Sequence, residues 1–441
     1  MSGQRRAIIV GAGLTGCLLA CYLSRRGYAV DVFERRSDPR VEGAERGRSI
    51  NLALSERGLD ALRRIGLADE VMAPALPMRG RMMHDVEGGT AFQSYSSDGL
   101  RAINSISRSA LNHTLLDAAE ASSGVTIHFG HRLVVLEAET GRATFETASG
   151  EVVREGLIVG ADGWRSAVRE SLEHAGLVSV VIDPLGVGYK ELTIPARDGD
   201  FALDPGALHI WPRGESMMIA LPNPDRSFTC TLFWPQEGPE SLSTIITAEQ
   251  VRDHFARVYP DAVPLMPTLV EDYLANPIGQ LGTIHTVPWQ AHGTVALLGD
   301  ASHAILPFFG QGANSGFEDV VEFDRCLEET GDDWVSALPL YEARRFENTE
   351  AIALMARENF DEMSAKVGSR MFLAIKAVEH ALHRALPNLY VSRYEMVSFG
   401  TLPYAEVIRR HRRQRTAALI GAVVICLGVL GGLAALVGVA T

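Results

Sequence analysis

Residues 7–36 read AIIVGAGLTGCLLACYLSRRGYAVDVFERR. The apolar run Ala7 to Val10 has the pattern of a buried strand and delivers Gly11, Gly13 and Gly16 to the start of a helix that reaches about Arg26. Gly11 permits a tight turn, Gly13 lets the backbone approach a pyrophosphate, and Gly16 allows close packing of helix on strand. Thr15 sits with them on the opening turn, where the helix N-terminus attracts phosphate charge. A second strand, Tyr28 to Phe33, ends at Glu34. An acid there, roughly 20 residues past the glycines, is placed to accept hydrogen bonds from an adenosine ribose. Strand, helix, strand and terminal acid in one stretch predict an α/β fold with a Rossmann-like dinucleotide-binding domain.

Two later stretches extend the pattern. GLIVGADGWRSAVR, Gly156 to Arg169, reads as a strand ending at Gly160, a turn through Asp162 and Gly163, and a helix. TVALLGDASHA, Thr294 to Ala304, ends a strand at Gly299 and Asp300, and the glycines of PFFGQGANSGFEDVVEF then open another helix. A carboxylate at the end of a buried strand can hold ribityl or ribose hydroxyls, and the following helix N-terminus can face a pyrophosphate or flavin ring. No second GxGxxG follows a strand, so a permanent second nucleotide domain is not expected. Between these motifs GVGYKELTIPA, ALHIWPRGESMMIALPN and SFTCTLFWP alternate in the strand manner, with turn signals PRGES and NPDRS between them. They predict an antiparallel sheet over residues 181–285 forming one wall of a substrate pocket. The dinucleotide domain is thereby split into 1–180 and 286–326, with residues 77–100 contributing to the pocket. From 327 to 415 the pattern is helical.

The 441 residues carry a formal charge of −13, with 46% apolar and 22% charged residues, a globular composition without the basic excess of a nucleic-acid binder. The five cysteines form no CxxC pair and no cluster with histidine at zinc spacing, so buried thiols in a reducing compartment are expected, and no metal. No signal peptide precedes the first strand. Arg409, Arg410, His411, Arg412, Arg413 and Arg415 stand directly before an uncharged run from Ala417 to Ala440. At ~1.5 Å per residue such a helix exceeds the ~30 Å hydrocarbon core of a bilayer. A single-pass transmembrane tail over 416–441 is therefore expected, with the catalytic region on the cytoplasmic side, at the mitochondrial outer membrane in a eukaryote. The alternative is a helix buried in the core or in a partner's groove.

In the order GxGxxG, ADGWRS, GDASHA, the three motifs resemble the FAD-dependent aromatic hydroxylases related to para-hydroxybenzoate hydroxylase. Within that class RGRSINLALSERGLDALRRIGL, PMRGRMMHDVEGG, LHIWPRGESMMIALPN with SFTCTLF, and PFFGQGANSGFED resemble the kynurenine 3-monooxygenase family. The resemblance implies tightly bound FAD, a transient NADPH, and O2-dependent conversion of L-kynurenine to 3-hydroxy-L-kynurenine through a flavin C4a-hydroperoxide, a step of tryptophan degradation and de novo NAD biosynthesis. It implies substrate contacts at Arg81 in RMMH, Tyr95 in QSYSSDG, Asn359 in ENFDEMS and Tyr404 in LPYAEVIRR. It implies FAD contacts at Gly11, Gly13, Thr15, Gly16, Glu34, Arg35, Arg36, Ala53, Arg108, Leu133, Asp162, Asp300, Gly312, Ala313 and Asn314. Arg81 can pair bidentately with an α-carboxylate, and the other three can fix its orientation.

One departure is visible: the family usually reads GQGMNAG, whereas this chain has Ala313 and Ser315 in GQGANSG. No side-chain nucleophile or general base is expected, because the chemistry belongs to the cofactor. His84, His209 and His303, all near motifs, fit packed or hydrogen-bonded structural roles. Two other functions stay open: a related hydroxylase or epoxidase acting on a phenol or lipid, and a membrane-tethered flavoprotein whose role is protein interaction.

Overall fold

The computed structural model describes residues 5–41, 51–96, 98–363, 390–418 and 420–421. The opening stretch folds as a strand Arg6–Val10, a helix Leu14–Arg25 and a strand Ala29–Glu34. Apolar residues cover both sides of the first strand, whose last four residues are buried, as a central parallel strand requires. It lies inside a six-stranded sheet between Leu157–Gly160 and Ala29–Glu34, with Val125–Phe129 at one edge and Val295–Leu297 and Gln290–Ala291 toward the other. All pairings in that sheet are parallel except the last, so the motif strands deliver their C-terminal ends, and hence Gly11, Ala161–Asp162 and Leu298–Asp300, to one edge.

The alternating segments form a seven-stranded sheet in the order Gly279–Val287, Ser179–Ile194, Phe228–Pro235, Ser216–Pro222, Ala207–Arg213, Gly80–His84, Thr90–Ser94. The two strands from residues 77–100 join this sheet through the parallel register Leu208↔Arg81. Alternation sorts its faces. Leu192, Met218, Ala220, Cys230, Leu232 and Trp234 pack with Val251, Phe255 and Tyr273 of the helices Ala248–Val258 and Leu269–Ala275. The intervening residues point the other way, toward the dinucleotide half. Helix Gly312–Glu329 packs against Leu14–Arg25 and Glu56–Arg64, and helix Trp334–Asp361 packs against it in turn.

One expectation fails. No helix of the described residues is long and apolar enough to cross a membrane, so the transmembrane tail is not retained. The described end of the chain is a helix over residues 404–418, seated by buried Tyr404, Ala405 and Val407 on its inner side. The arginine run from Arg409 lies on the solvent-exposed continuation of this helix. Residues 422–441, and with them most of the uncharged run, lie outside the described residues.

Candidate active site

The two sheets enclose one long cavity of about 1060 Å³. That is larger than the 300–1,000 Å³ usual for a single small ligand and leaves room for a dinucleotide with a second molecule. One end is built from the sheet edge where the motif strands finish. Gly11, Gly13, Thr15, Glu34, Arg35, Arg36, Arg108, Leu133, Asp162 and Asp300 line it. Gly11 has φ +106°, a conformation that favours glycine, and its N–H donates to Phe33 O at 2.8 Å, locking the turn between the first two strands.

The Glu34 carboxylate accepts from Ala12 N at 3.1 Å and from Arg36 Nε at 2.8 Å. Burial alone would raise its pKa, but Arg36 and these donors hold it below the usual carboxylate range. Asp162 accepts from Ala167 N at 2.7 Å through Oδ2, which fixes the turn into the next helix. Its Oδ1 is buried without a partner among the described residues, and burial pushes its pKa up. A Cβ at Gly13 or Gly312 would meet nothing within 4 Å, so both glycines border open space inside the cavity. An orphaned acceptor and two bare glycine backbones at a helix N-terminus make a cradle suited to a phosphate-bearing, hydroxyl-rich ligand.

The other end is apolar. Leu208, Met217, Ile219, Leu221 and Phe233 cover it from the seven-stranded sheet, and Phe308, Phe309 and Met363 face them. Into this lining project Arg81, Thr231 and Tyr394. Arg81 makes no ion pair among the described residues, and its Nε is buried without a hydrogen-bond partner. Its guanidinium sits 4.9 Å from the Tyr394 ring centre and 5.6 Å from that of Tyr95, and these two rings stack on each other at 4.7 Å. Aromatic faces partly compensate a cation, yet a guanidinium with five donors in an apolar chamber lacks an anion.

Between the two ends runs the turn Gly310–Asn314. Asn314 braces it with three side-chain hydrogen bonds: Oδ1 accepts from Ser55 N at 2.9 Å, and Nδ2 donates to Ala53 O and Gly310 O, each at 2.8 Å. Ala53, Gly312, Ala313 and Asn314 thereby form the middle wall. Ser315, one of the departures from the family pattern, accepts from Arg345 Nη2 at 3.1 Å, so its hydroxyl is used inside the helix bundle rather than in the cavity.

The FAD binding domain family matches residues 4–353. A kynurenine 3-monooxygenase of Myxococcus xanthus is 47% identical over 400 residues, 90% of this chain and 86% of that protein. One from Dictyostelium discoideum is 43% identical over 411 residues, 90% and 88% of the two chains. The chain belongs to the kynurenine 3-monooxygenase family. Among solved structures, 2-methyl-3-hydroxypyridine-5-carboxylic acid oxygenase superposes with a TM-score of 0.68 at 23% identity, covering 88% of this chain and 99% of that one. Klebsiella pneumoniae HpxO, solved with FAD and uric acid, gives 0.65 at 21%, covering 87% and 94%. These two establish the fold alone.

Within this kynurenine 3-monooxygenase family member, the residues expected at the dinucleotide line the cavity, apart from Gly16. Gly16 lies behind the turn, where a Cβ would collide with the Gly11 carbonyl. At the apolar end Arg81 lines the cavity, but three expected substrate residues do not. Tyr95 stands one layer back, against Tyr394. Asn359 is buried and donates from Nδ2 to Phe308 O at 2.5 Å, holding the backbone of a wall residue. Tyr404 is fully buried and donates to Gln311 Oε1 at 2.9 Å. The tyrosine that reaches the cavity from the C-terminal region is Tyr394, on the short helix Arg393–Ser398. Sequence reasoning missed Tyr394 and Thr231. The alternation of SFTCTLFWP, which puts Thr231 and Phe233 on one face, was the available signal for the second.

The histidines have structural roles. His84 Nε2 lies 2.9 Å from His209 Nδ1, the His84 ring stacks on Trp211 at 4.0 Å, and Trp211 Nε1 donates to Asp261 Oδ2 at 2.6 Å. This cluster anchors the far end of the strand that carries Arg81. Burial first, and His209 second, lower the His84 pKa to about 4. A depressed histidine pKa means that the unfolded chain binds the proton more readily. Stability is therefore complete above pH ~6.5 and is lost as pH falls toward 4. Thermal unfolding followed from pH 7 to pH 4.5 is expected to show a falling Tm that is shallower in His84→Gln, and an equal slope in both proteins would refute the assignment.

Proposed function

We propose that this protein catalyses the NADPH- and O2-dependent hydroxylation of L-kynurenine to 3-hydroxy-L-kynurenine, releasing NADP+ and water, with FAD as its bound cofactor. The observation that carries the reading is Arg81: a guanidinium without an anion, beside a stacked pair of tyrosine rings, in an otherwise apolar chamber joined to a dinucleotide cradle. An aromatic amino acid supplies what that chamber lacks, a carboxylate for Arg81 and a flat apolar ring for the surface of Leu221, Ile219 and Phe233. A lipid has no use for a carboxylate clamp.

The cradle residues fit FAD. Glu34 would hold the adenosine ribose, Arg108 and the Gly13 backbone the pyrophosphate, Asp300 the ribityl chain, and the Gly312–Asn314 turn the isoalloxazine edge. When bound, FAD supplies the redox chemistry with NADPH and O2 that side chains cannot. The chain's own task is positional. Arg81 holds the amino-acid end, so the ring is presented to the middle wall in one orientation. Phe233, Phe308 and Phe309 keep water from that wall. Among the described residues lining the apolar end there is no carboxylate or histidine, and none is needed, because the substrate's ring amino group already enriches its ortho carbon.

The test is NADPH oxidation with and without L-kynurenine, with the product weighed by mass spectrometry. Stimulated turnover and a product heavier by one oxygen are expected. Bound FAD with no response to kynurenine would end this reading and leave another aromatic or lipid substrate.

A further inference from the structure

We propose that Tyr404 is a positioning residue, which ties the seating of the C-terminal helix, residues 404–418, to the turn that carries Gly312, Ala313 and Asn314. The proposal rests on the flavin-hydroxylase reading above. Tyr404 opens that helix and is fully buried. Burial raises its phenol pKa, so the hydroxyl keeps its proton and donates to Gln311 Oε1 at 2.9 Å. Gln311 caps the N-terminus of helix Gly312–Glu329, and its carbonyl accepts from Ser315 N at 2.7 Å, so its side chain and backbone brace the turn from both directions.

A second connection runs beside the first. The Arg57 guanidinium lies 3.8 Å over the Tyr404 ring, donates to Leu402 O just before the helix, and pairs with Glu318 at 2.6 Å. Glu318 pairs with Arg345 at 2.7 Å, which pairs with Asp319 at 2.7 Å, and Asp319 accepts from Gly299 N at 2.9 Å and bonds His303 at 2.5 Å. Burial alone would raise the Asp319 pKa, but His303 and Arg345 hold it at about 2, so the carboxylate stays charged. The chain of contacts thus begins at the C-terminal helix and ends at Gly299, next to Asp300 in the cavity wall. Such a buried network has few alternative arrangements, so a shift of the helix is passed to both turns.

The experiment uses the full chain with FAD bound, as wild type, Tyr404→Phe, Gln311→Leu and the double variant. Phenylalanine keeps the ring under Arg57 and removes the hydroxyl, so the fold is retained. Three readouts are taken: visible circular dichroism of bound FAD, the L-kynurenine dissociation constant from perturbation of flavin absorbance, and 3-hydroxykynurenine formed per NADPH consumed. The expected result for Tyr404→Phe is an altered flavin spectrum and coupling lowered about tenfold, with kynurenine affinity within about twofold of wild type. Gln311→Leu should match it, and the double variant should add nothing further. Loss of kynurenine affinity with an unchanged flavin spectrum would make Tyr404 a substrate contact and overturn the proposal, as would additive effects or no effect. A wild-type protein that binds FAD but ignores kynurenine would defeat the functional reading, while the flavin spectrum would still test the role of Tyr404.

Discussion

Arg81→Met is expected to lower kcat/KM for L-kynurenine by about a hundred- to a few thousandfold while leaving FAD content unchanged. The estimate follows from removing one partner of a desolvated, hydrogen-bonded charge pair, which costs about 3–5 kcal/mol, and from about 1.4 kcal/mol per factor of ten. Methionine fills comparable volume beside the stacked Tyr95 and Tyr394 rings, so the chamber is not emptied. Arg81→Lys should fall between the two, because an ammonium keeps the charge but loses the two-pronged geometry that matches a carboxylate. The check is steady-state kinetics of all three proteins with flavin occupancy measured by absorbance. A methionine variant within about threefold of wild type would show that the guanidinium does not hold the substrate. The prediction is sharp because no carboxylate of the described residues neutralises Arg81: its contacts are aromatic faces, worth about 0.5–2 kcal/mol, well short of a paired anion.

The dinucleotide half was legible because its glycine turns and carboxylates stand at motif positions. Gly11, Gly13, Glu34, Asp162 and Asp300 stand at strand ends, and a parallel sheet brings all such ends to one edge whatever lies between them. The apolar half has no such rule. Its wall is assembled from strands Gly80–His84, Ala207–Arg213, Ser216–Pro222 and Phe228–Pro235 and from a helix near the end of the chain, and which side chains meet depends on register. Arg81 stood out because its motif is distinctive, and it lines the cavity. Tyr394 and Tyr404 illustrate the opposite case: both lie in the C-terminal region, but only the first sits on a helix facing the cavity, and nothing in the sequence orders them. Tyr95 and Asn359 lie beside the cavity without lining it: the first stacks on Tyr394 and the second donates to the backbone of Phe308. The expected tail over 416–441 finds no support, since no helix of the described residues is long and apolar enough to cross a membrane. The helix before it carries Tyr404, Ala405 and Val407 as an inner face, a spacing that already signals packing against the protein.

Gly16→Ala and Gly13→Val should fail in opposite ways, although both alter the same glycine motif and both are expected to empty the protein of FAD. At Gly16 a Cβ would overlap the Gly11 carbonyl oxygen, with Ile9 on its other side at 3.3 Å, so backbone must move and the helix separates from the first strand. Overpacking of this kind costs about 1–3 kcal/mol, and the Tm of the flavin-free protein should fall accordingly. At Gly13 the backbone is extended, with φ −79° and ψ −174°, which valine adopts without strain, and a Cβ meets nothing within 4 Å. The flavin-free Tm should therefore stay close to wild type, while the new methyl groups stand in the space between the helix N-terminus and the cavity where a pyrophosphate belongs. Differential scanning fluorimetry of the stripped proteins, together with flavin absorbance after reconstitution, separates the two. If Gly13→Val takes up FAD stoichiometrically, the pyrophosphate does not lie on that turn, and the cradle must be redrawn around Asp162 and Arg108.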